Sequence, residues 1–425
     1  MSKVAENLPF NFPSKKPLEV EFSALDLSSD AGLLLIKQAE TNLQICQGIT
    51  NCLEEKREQH KIRHSLSQLI SQRIYQIVAG YEDAVDSNYL RHDPIFKIIC
   101  GKTPIIGAEL LASQPTISRL ENQITSSEIK RIRRFYVDKF IESYQSKPTQ
   151  IILDIDGWDA LTYGEQQLSL FHGYYGHKIY FPCLINEAKS GYPLILQLRP
   201  GNSHSGKGII GLLRWLFWRL KKAWANVEII LRGDGGFSLP EIINLCERQN
   251  VKYVFGFSNN QVLKRKIDYL LDQARLQYVR TKEKARLFGD VYYRAKSWAK
   301  PRRIVMKAEW LEKGGNPRFL VTNIEMSPQK LDDNFYVQRG ATSEQRIKEL
   351  KLGINADRLS CHQFMVKRLE NAQVLRTRET LIKIGAKVTV SARRILVELA
   401  NHCPFKEEIK VIAQKLLTGR QLIFS

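Results

Sequence analysis

The chain has 425 residues, 43% hydrophobic and 25% charged, with 64 Lys and Arg against 44 Asp and Glu and a net charge of +20. That length argues for two or three domains around at least one sizeable core, and the apolar fraction argues against a largely disordered chain. No run of 18 or more apolar residues is present, the N-terminus lacks a signal-peptide layout and the seven scattered cysteines form no Cys-x-x-Cys pair; this speaks against a membrane span, a disulfide framework and a zinc site, and for a cytoplasmic protein whose positive charge meets DNA.

Residues 1–20, rich in Pro, Lys and Asn, read as an extended arm. From about Ser28 to Ala79, apolar residues recur at three- and four-residue spacing, which predicts helices. The helical pattern continues to 147, broken by Pro94, Pro104 and Pro115. Within it, Gly107–Gln123 reads as helix, short turn, helix. As a helix-turn-helix it would present Thr116, Ser118 and Arg119 to a major groove; an ordinary helical hairpin is the alternative.

Strand signals begin after Pro148. A buried-type strand is expected over 150–156, then a strand pair, Tyr174–Ile185 and Tyr192–Leu198, turning at Lys189-Ser190-Gly191. Lys207–Trp224 is an amphipathic helix. Residues 206–224 hold Lys207, Arg214, Arg219, Lys221 and Lys222, no acid, and Trp215, Trp218 and Trp224 between them. The tryptophans read either as core or as part of a basic surface. A strand at 227–232, a helix at Pro240–Gln249 and a strand at Val251–Phe257 follow. Three strands, helix, strand, helix, strand is the order of an α/β ribonuclease-H-like core.

Residues 258–330 read as a β-rich insertion, with strand-like segments at Val291–Trp298, Arg303–Trp310 and Arg318–Ile324. Thirteen Lys or Arg against four Asp or Glu in 261–303 suggest that it follows DNA backbone. A basic helix is expected over 336–351, and 380–402 shows a long apolar-basic helical pattern suited to packing or dimerisation. The expected organisation is a helical DNA-binding region at 1–147, the first part of the core at 148–257, the insertion at 258–330, and a core helix with a C-terminal helical region at 331–425.

Three acids carry the chemical signal. Asp156 closes the run Ile-Ile-Leu-Asp-Ile-Asp, and strand alternation puts Asp154 on its face, so either could be the first acid. Asp234 follows Val-Glu-Ile-Ile-Leu-Arg-Gly-Asp, and the glycines around it allow a tight turn and close approach of a substrate. Glu344 shares a helix face with Ile347, Lys348 and Lys351. Carboxylates that converge repel one another unless a hard cation such as Mg²⁺ or Mn²⁺ neutralises them. On so basic a chain this points to metal-assisted phosphoryl transfer on nucleic acid. His177 and His204 read as structural.

Nearly the whole chain resembles the DDE-type transposases of bacterial insertion sequences (DDE domain group 1), most closely their thirteen-eighty group. The resemblance is carried by Leu27-Ser-Ser-Asp-Ala-Gly-Leu-Leu-Leu35, Leu90-Arg-His-Asp-Pro94, Ala112-Ser-Gln-Pro-Thr-Ile-Ser-Arg119, Leu153-Asp-Ile-Asp-Gly157, Gly173-Tyr-Tyr-Gly-His177, Leu198-Arg-Pro-Gly-Asn202 and Asp357-Arg-Leu-Ser-Cys361. It implies a ribonuclease-H-like core with two divalent ions, Asp156 bridging both and Asp234 and Glu344 each holding one. It also implies a Tyr-Arg-Glu-Lys signature at Tyr336, Arg339, Glu344 and Lys351, in which Arg339 and Lys351 grip phosphates and Tyr336 stacks on a base. The implied activity is binding of terminal inverted repeats, cleavage at the element's ends and joining of the 3′-hydroxyls to target DNA. The implied partners are double-stranded DNA and a second copy of the chain, with no membrane and no small-molecule substrate, at the bacterial nucleoid. Two positions depart from the pattern. Trp158 stands where Thr is usual, and four residues instead of three separate Arg339 from Glu344. A nuclease that cuts without joining, and a catalytically impaired DNA-binding protein, are the alternatives.

Overall fold

The computed structural model describes residues 26–105, 108–162, 164–203, 206, 208–340, 345–353, 381–401 and 403–418. The chain divides into two compact units. One comprises Met1–Thr50, Glu55–Leu120 and Arg376–Gln421, the other Asn51–Glu54, Glu121–Leu375 and Leu422–Ser425.

The larger unit is built on one mixed sheet. Helix α1 (Ser126–Glu142) starts at a capping box in which Thr125 and Glu128 each receive the other's backbone N–H. Strand β1 (Gln150–Gly157) follows. A small antiparallel sheet comes next, from β2 (Ala160–Leu161), β3 (Leu170–His172) and β4 (His177–Tyr180). The chain returns through β5 (Cys183–Glu187), β6 (Pro193–Gln197), helix α2 (Ile210–Ala223), β7 (Glu228–Gly233), helix α3 (Pro240–Arg248) and β8 (Lys252–Phe257). Helix α4 (Gln261–Thr281) and strands β9 (Ala285–Tyr293), β10 (Arg302–Leu311) and β11 (Gly314–Thr322) complete it.

The sheet order is β9-β10-β11-β8-β7-β1-β5-β6. β1, β7 and β8 run parallel, while β5 is antiparallel to β1 and to β6. The five strands β6-β5-β1-β7-β8 have the order expected of a ribonuclease-H-like core. Alternation on β1 sends Ile151, Leu153 and Ile155 into the main core. There they meet Val137 and Phe140 of α1 and Leu213, Leu216, Phe217 and Leu220 of α2, which recur at helical spacing. Ile152 joins a second cluster on the other face with Ile230, Val254, Leu320 and Leu331.

Four expectations need correction. Tyr174–Ile185 is not one strand: it breaks at Phe181 and Pro182, so that β4 pairs in the small sheet and β5 in the large one. Residues 258–330 are not a separate β-rich piece. They begin with the 21-residue helix α4, and β11 pairs antiparallel with β8, so the core sheet grows to eight strands.

The other two corrections fall in the smaller unit. Residues 108–113 are not helical, because buried Gln72 holds Ala112 by both its backbone groups: Gln72 Nε2 donates to Ala112 O at 2.8 Å and Ala112 N to Gln72 Oε1 at 2.9 Å. The helix Gln114–Gln123 that follows buries Ile117 against Leu69 of the helix Leu66–Ala79. The helical pattern over 380–402 is instead a hairpin, Ala386–Val390 with Ile395–Leu399, whose first strand pairs with Leu27–Ser28. Buried Ala386 and Val388 alternate with exposed Lys387 and Thr389, a period of two.

Candidate active site

The even-numbered residues of β1 point away from the main core, and two of them are acidic. Asp154 lies opposite Arg232 of β7 in the strand register. Arg232 Nε donates to Asp154 Oδ1 at 2.6 Å and Nη2 to Oδ2 at 2.9 Å, and both side chains are almost fully buried. Nη1 donates to Phe335 O at 2.6 Å, and the Phe335 ring lies 5.0 Å from the guanidinium carbon. A two-pronged pair of this kind satisfies most of the donors and acceptors it buries.

Asp156 sits two residues on, where β1 ends. Its Oδ1 accepts from Gly157 N and its Oδ2 from Arg339 Nη1, each at 2.9 Å. Burial pushes its carboxyl up to about 6, and Asp234 nearby adds to this against the opposing charge of Arg339. Asp234 follows β7, the parallel neighbour of β1, and caps a short 3₁₀ turn, Gly235–Phe237, by accepting from Gly236 N at 2.9 Å. Gly256 on β8 makes this turn possible. A Cβ there would lie 2.9 Å from Gly235 N and 2.8 Å from Tyr336 Oη.

Arg339 arrives on a helical stretch formed by Pro328–Lys330, a π-helical turn at Leu331–Tyr336 and Val337–Arg339. Such wide turns are common at functional sites. The Tyr336 ring lies 5.6 Å from the Arg339 guanidinium carbon. Burial disfavours the Arg339 charge, but Asp156, Tyr336 and Asp234 together hold its pKa above the usual value.

These groups open on a cleft of about 520 Å³ lined by Asp156, Gly157, Trp158, Asp159, Tyr175, Asp234 and Arg339 and, from the helix Gln345–Gly353, by Ile347, Lys348 and Lys351. Lys351 Nζ stands 3.4 Å from Asp159 Oδ1. The cleft thus pairs an acidic floor, with Asp156 buried and Asp234 partly exposed, with a basic rim, an arrangement able to seat a cation below and a phosphate above.

Of the residues singled out from sequence, Asp156, Asp234, Arg339, Lys348 and Lys351 meet in this cleft, with Tyr336 beneath Arg339. Asp154 is engaged by Arg232. Glu344 and His204 lie outside the described residues. Ser118 and Arg119 belong to the smaller unit; Ser118 accepts from Gln114 Nε2 at 3.0 Å, and exposed Arg119 donates from Nε to Pro115 O at 3.0 Å. Among the described residues, no three His, Cys, Asp or Glu side chains cluster as metal ligands do. Arg232, Asp159 and Tyr175 were not anticipated. An arginine inside an apolar strand was the available signal for Arg232, since so large a charge is buried only when paired.

Among solved structures, a piggyBac transposase synaptic complex with hairpin DNA matches at 12% identity and a TM-score of 0.38, over 80% of this chain and 73% of that one. Ciona intestinalis endonuclease V in complex with DNA matches at 12% identity and a TM-score of 0.22, over 50% and 88%. The Mos1 transposase paired-end complex matches at 12% identity and a TM-score of 0.18, over 47% and 61%. No curated protein sequence matches the chain. The family model described as transposase DDE domain group 1 matches residues 10–370. With most of its length so matched, the chain belongs to the transposase DDE domain group 1 family.

Proposed function

We propose that the chain is a divalent-metal-dependent DNA transposase that cleaves phosphodiesters at the ends of its element and joins the freed 3′-hydroxyls to target DNA. The observation that carries this reading is the meeting of Asp156 and Asp234, from the ends of two adjacent parallel strands, in a cleft rimmed by Arg339, Lys348 and Lys351.

The donor set suits a hard cation: both carboxylates are oxygen ligands, and the burial that raises Asp156 would be offset by a bound charge. Asp156 and Asp234 would hold the ion together with Glu344. A divalent ion bound there would supply charge neutralisation and a more acidic water. The chain's own groups do the rest. Arg339 orients the Asp156 carboxylate through its 2.9 Å bond, and its charge lies beside that carboxylate rather than in open water. Lys348 and Lys351 on the rim would hold the phosphates on either side of the scissile one, and Tyr336 fixes Arg339 from below. Asp154 is a positioning residue, locking β1 to β7 so that the two catalytic acids keep their spacing.

The test is Mg²⁺-dependent cleavage of a duplex carrying the element's terminal repeat, comparing wild type with Asp234→Asn and Glu344→Gln. Loss of cleavage with DNA binding retained is expected for both. Equal cleavage by wild type and Asp234→Asn would sink the assignment. Supplying a pre-cut end with a free 3′-hydroxyl then separates a transposase, which joins it, from a nuclease, which does not.

A further inference from the structure

The outer surfaces of α1 and α2 form a second groove unrelated to the acidic cleft. The two helices cover the face of the sheet that bears Leu153 and Ile155, opposite the face of Asp154 and Asp156. Between them lies a cavity of about 510 Å³, lined by Arg134 and Asp138 of α1 and Trp215, Trp218, Arg219 and Lys222 of α2. Its single acid is already neutralised, since Arg219 Nε donates to Asp138 Oδ1 at 2.8 Å and Nη2 lies 2.7 Å from the same oxygen. Arg134 and Lys222 are exposed and form no ion pair among the described residues.

Three tryptophans lie on or beside α2, and they differ. Trp224 is 5% exposed and belongs to the core, and Trp215 packs against that core from its edge. Trp218 is 52% exposed, with Lys222 Nζ 5.1 Å from its ring centroid. Arg214, Trp218 and Lys222 follow one another at four-residue intervals, so they form a row along one helix face. An exposed indole flanked by two cations offers a flat face for a planar group and positive charge for an anion beside it. A protein partner is poorly served here, because a stable protein interface takes about 800 Å² per side with an apolar centre, and the exposed apolar group of this groove is one indole. Neighbouring helices pack about 8–10 Å apart, so the groove between them suits one strand rather than a duplex.

We propose that the α1–α2 groove binds a short single-stranded stretch of DNA, with a base lying on Trp218 and the adjoining phosphates on Arg134 and Lys222. Aromatic platforms between cations bind single strands in this way without reading their sequence. The proposal rests on the reading that the chain handles DNA, and it adds a strand-holding surface on the face of the sheet away from the proposed cleavage site.

The test measures binding of a labelled oligothymidylate of about ten nucleotides, within the usual span of such sites, to the full chain at several salt concentrations. Trp218→Ala is expected to weaken binding roughly tenfold and Trp218→Phe to keep most of it. Arg134→Gln with Lys222→Gln is expected to reduce the salt slope by about 1.4, from roughly 0.7 per phosphate contact on a single strand. All three positions are at the surface, so unchanged melting temperatures certify the fold. Wild-type binding and salt slope in all variants would overturn the proposal. Equal loss of duplex and single-strand binding in Trp218→Ala would overturn its single-strand character. A shift in oligomeric state with oligonucleotide binding unchanged would assign the groove to a second copy instead. Terminal-repeat cleavage run in parallel keeps the two readings apart. Cleavage by wild type and Trp218→Ala alike, with no groove effect, removes only the groove. No cleavage by wild type, with the groove effect intact, removes only the proposed activity.

Discussion

Strand β1 carries two aspartates on the same face, Asp154 within the strand and Asp156 at its outer end, and the two are treated in opposite ways. Asp154 is wholly buried and held by two bonds from Arg232, whose third contact closes on Phe335 O. Asp156, also buried, shares its neighbourhood with a second acid and, among the described residues, takes its ion pair from Arg339, which itself lines the cleft. The inner carboxylate is a finished structural pair. The outer one is buried beside a second acid, and that burial, with Asp234 adding to it, outweighs the Arg339 charge and raises its carboxyl to about 6. Burial alone therefore does not mark a candidate catalytic acid; incomplete neutralisation beside an open cleft does.

The sharpest way to break this contrast is to remove one charge beside each aspartate. Asp234→Asn, beside Asp156, is expected to bring metal-dependent cleavage down to background while the melting temperature stays within a few degrees. Beside Asp154, Arg232→Leu leaves that carboxylate charged and buried with its partner gone, and it should cost about 3–5 kcal/mol by denaturant unfolding. Arg232→Leu with Asp154→Leu should recover most of that loss. If the single and double variants are equally unstable, the pair is not what holds β1 to β7.

Gly256→Ala probes the support beneath Asp234. The added methyl would press on Gly235 N, a backbone atom, so the capped turn must shift. A displacement of about 1 Å can cost on the order of 100-fold in rate, with a smaller loss of stability of about 1–3 kcal/mol. Cleavage at the wild-type rate would show that the turn has room to give.

The smallest effect concerns pH. An unfolded aspartate titrates near 4 and Asp156 near 6. The folded chain then binds the extra proton between these values, so stability falls as pH rises from about 4 to about 6 and the loss is complete above that. In the presence of a chelator, Asp156→Asn should equal wild type near pH 4 and exceed it near pH 7 by up to about 3 kcal/mol. Divalent metal should raise the wild-type melting temperature and leave that of Asp156→Asn unchanged. A variant that is less stable at neutral pH would mean that Arg339 more than offsets the burial.

Much of this was legible beforehand, though unevenly. The alternation of β1 and the apolar run of β7 announced buried neighbouring strands, and the acids at their ends followed from position alone. The many charges of helix α4 obscure its apolar stripe: Leu263, Ile267, Leu270 and Leu271 keep helical spacing and pack into the main core, and Ala274 continues the stripe as a buried residue. The stretch before Gln114 looked helical because Gln72, the residue that holds Ala112 extended, lies forty positions away.

Local pattern and chemistry thus determined most strand and helix identities, the basic character of the chain and the short list of acids, because periodicity and side-chain type act over a few residues. Only the tertiary structure decided which aspartate is locked in a fully buried two-bond pair and which opens on the cleft, which tryptophan stays in water, and that the segment after β8 extends the core sheet. Each of those outcomes depends on a partner distant in the sequence, and no local spacing carries that information.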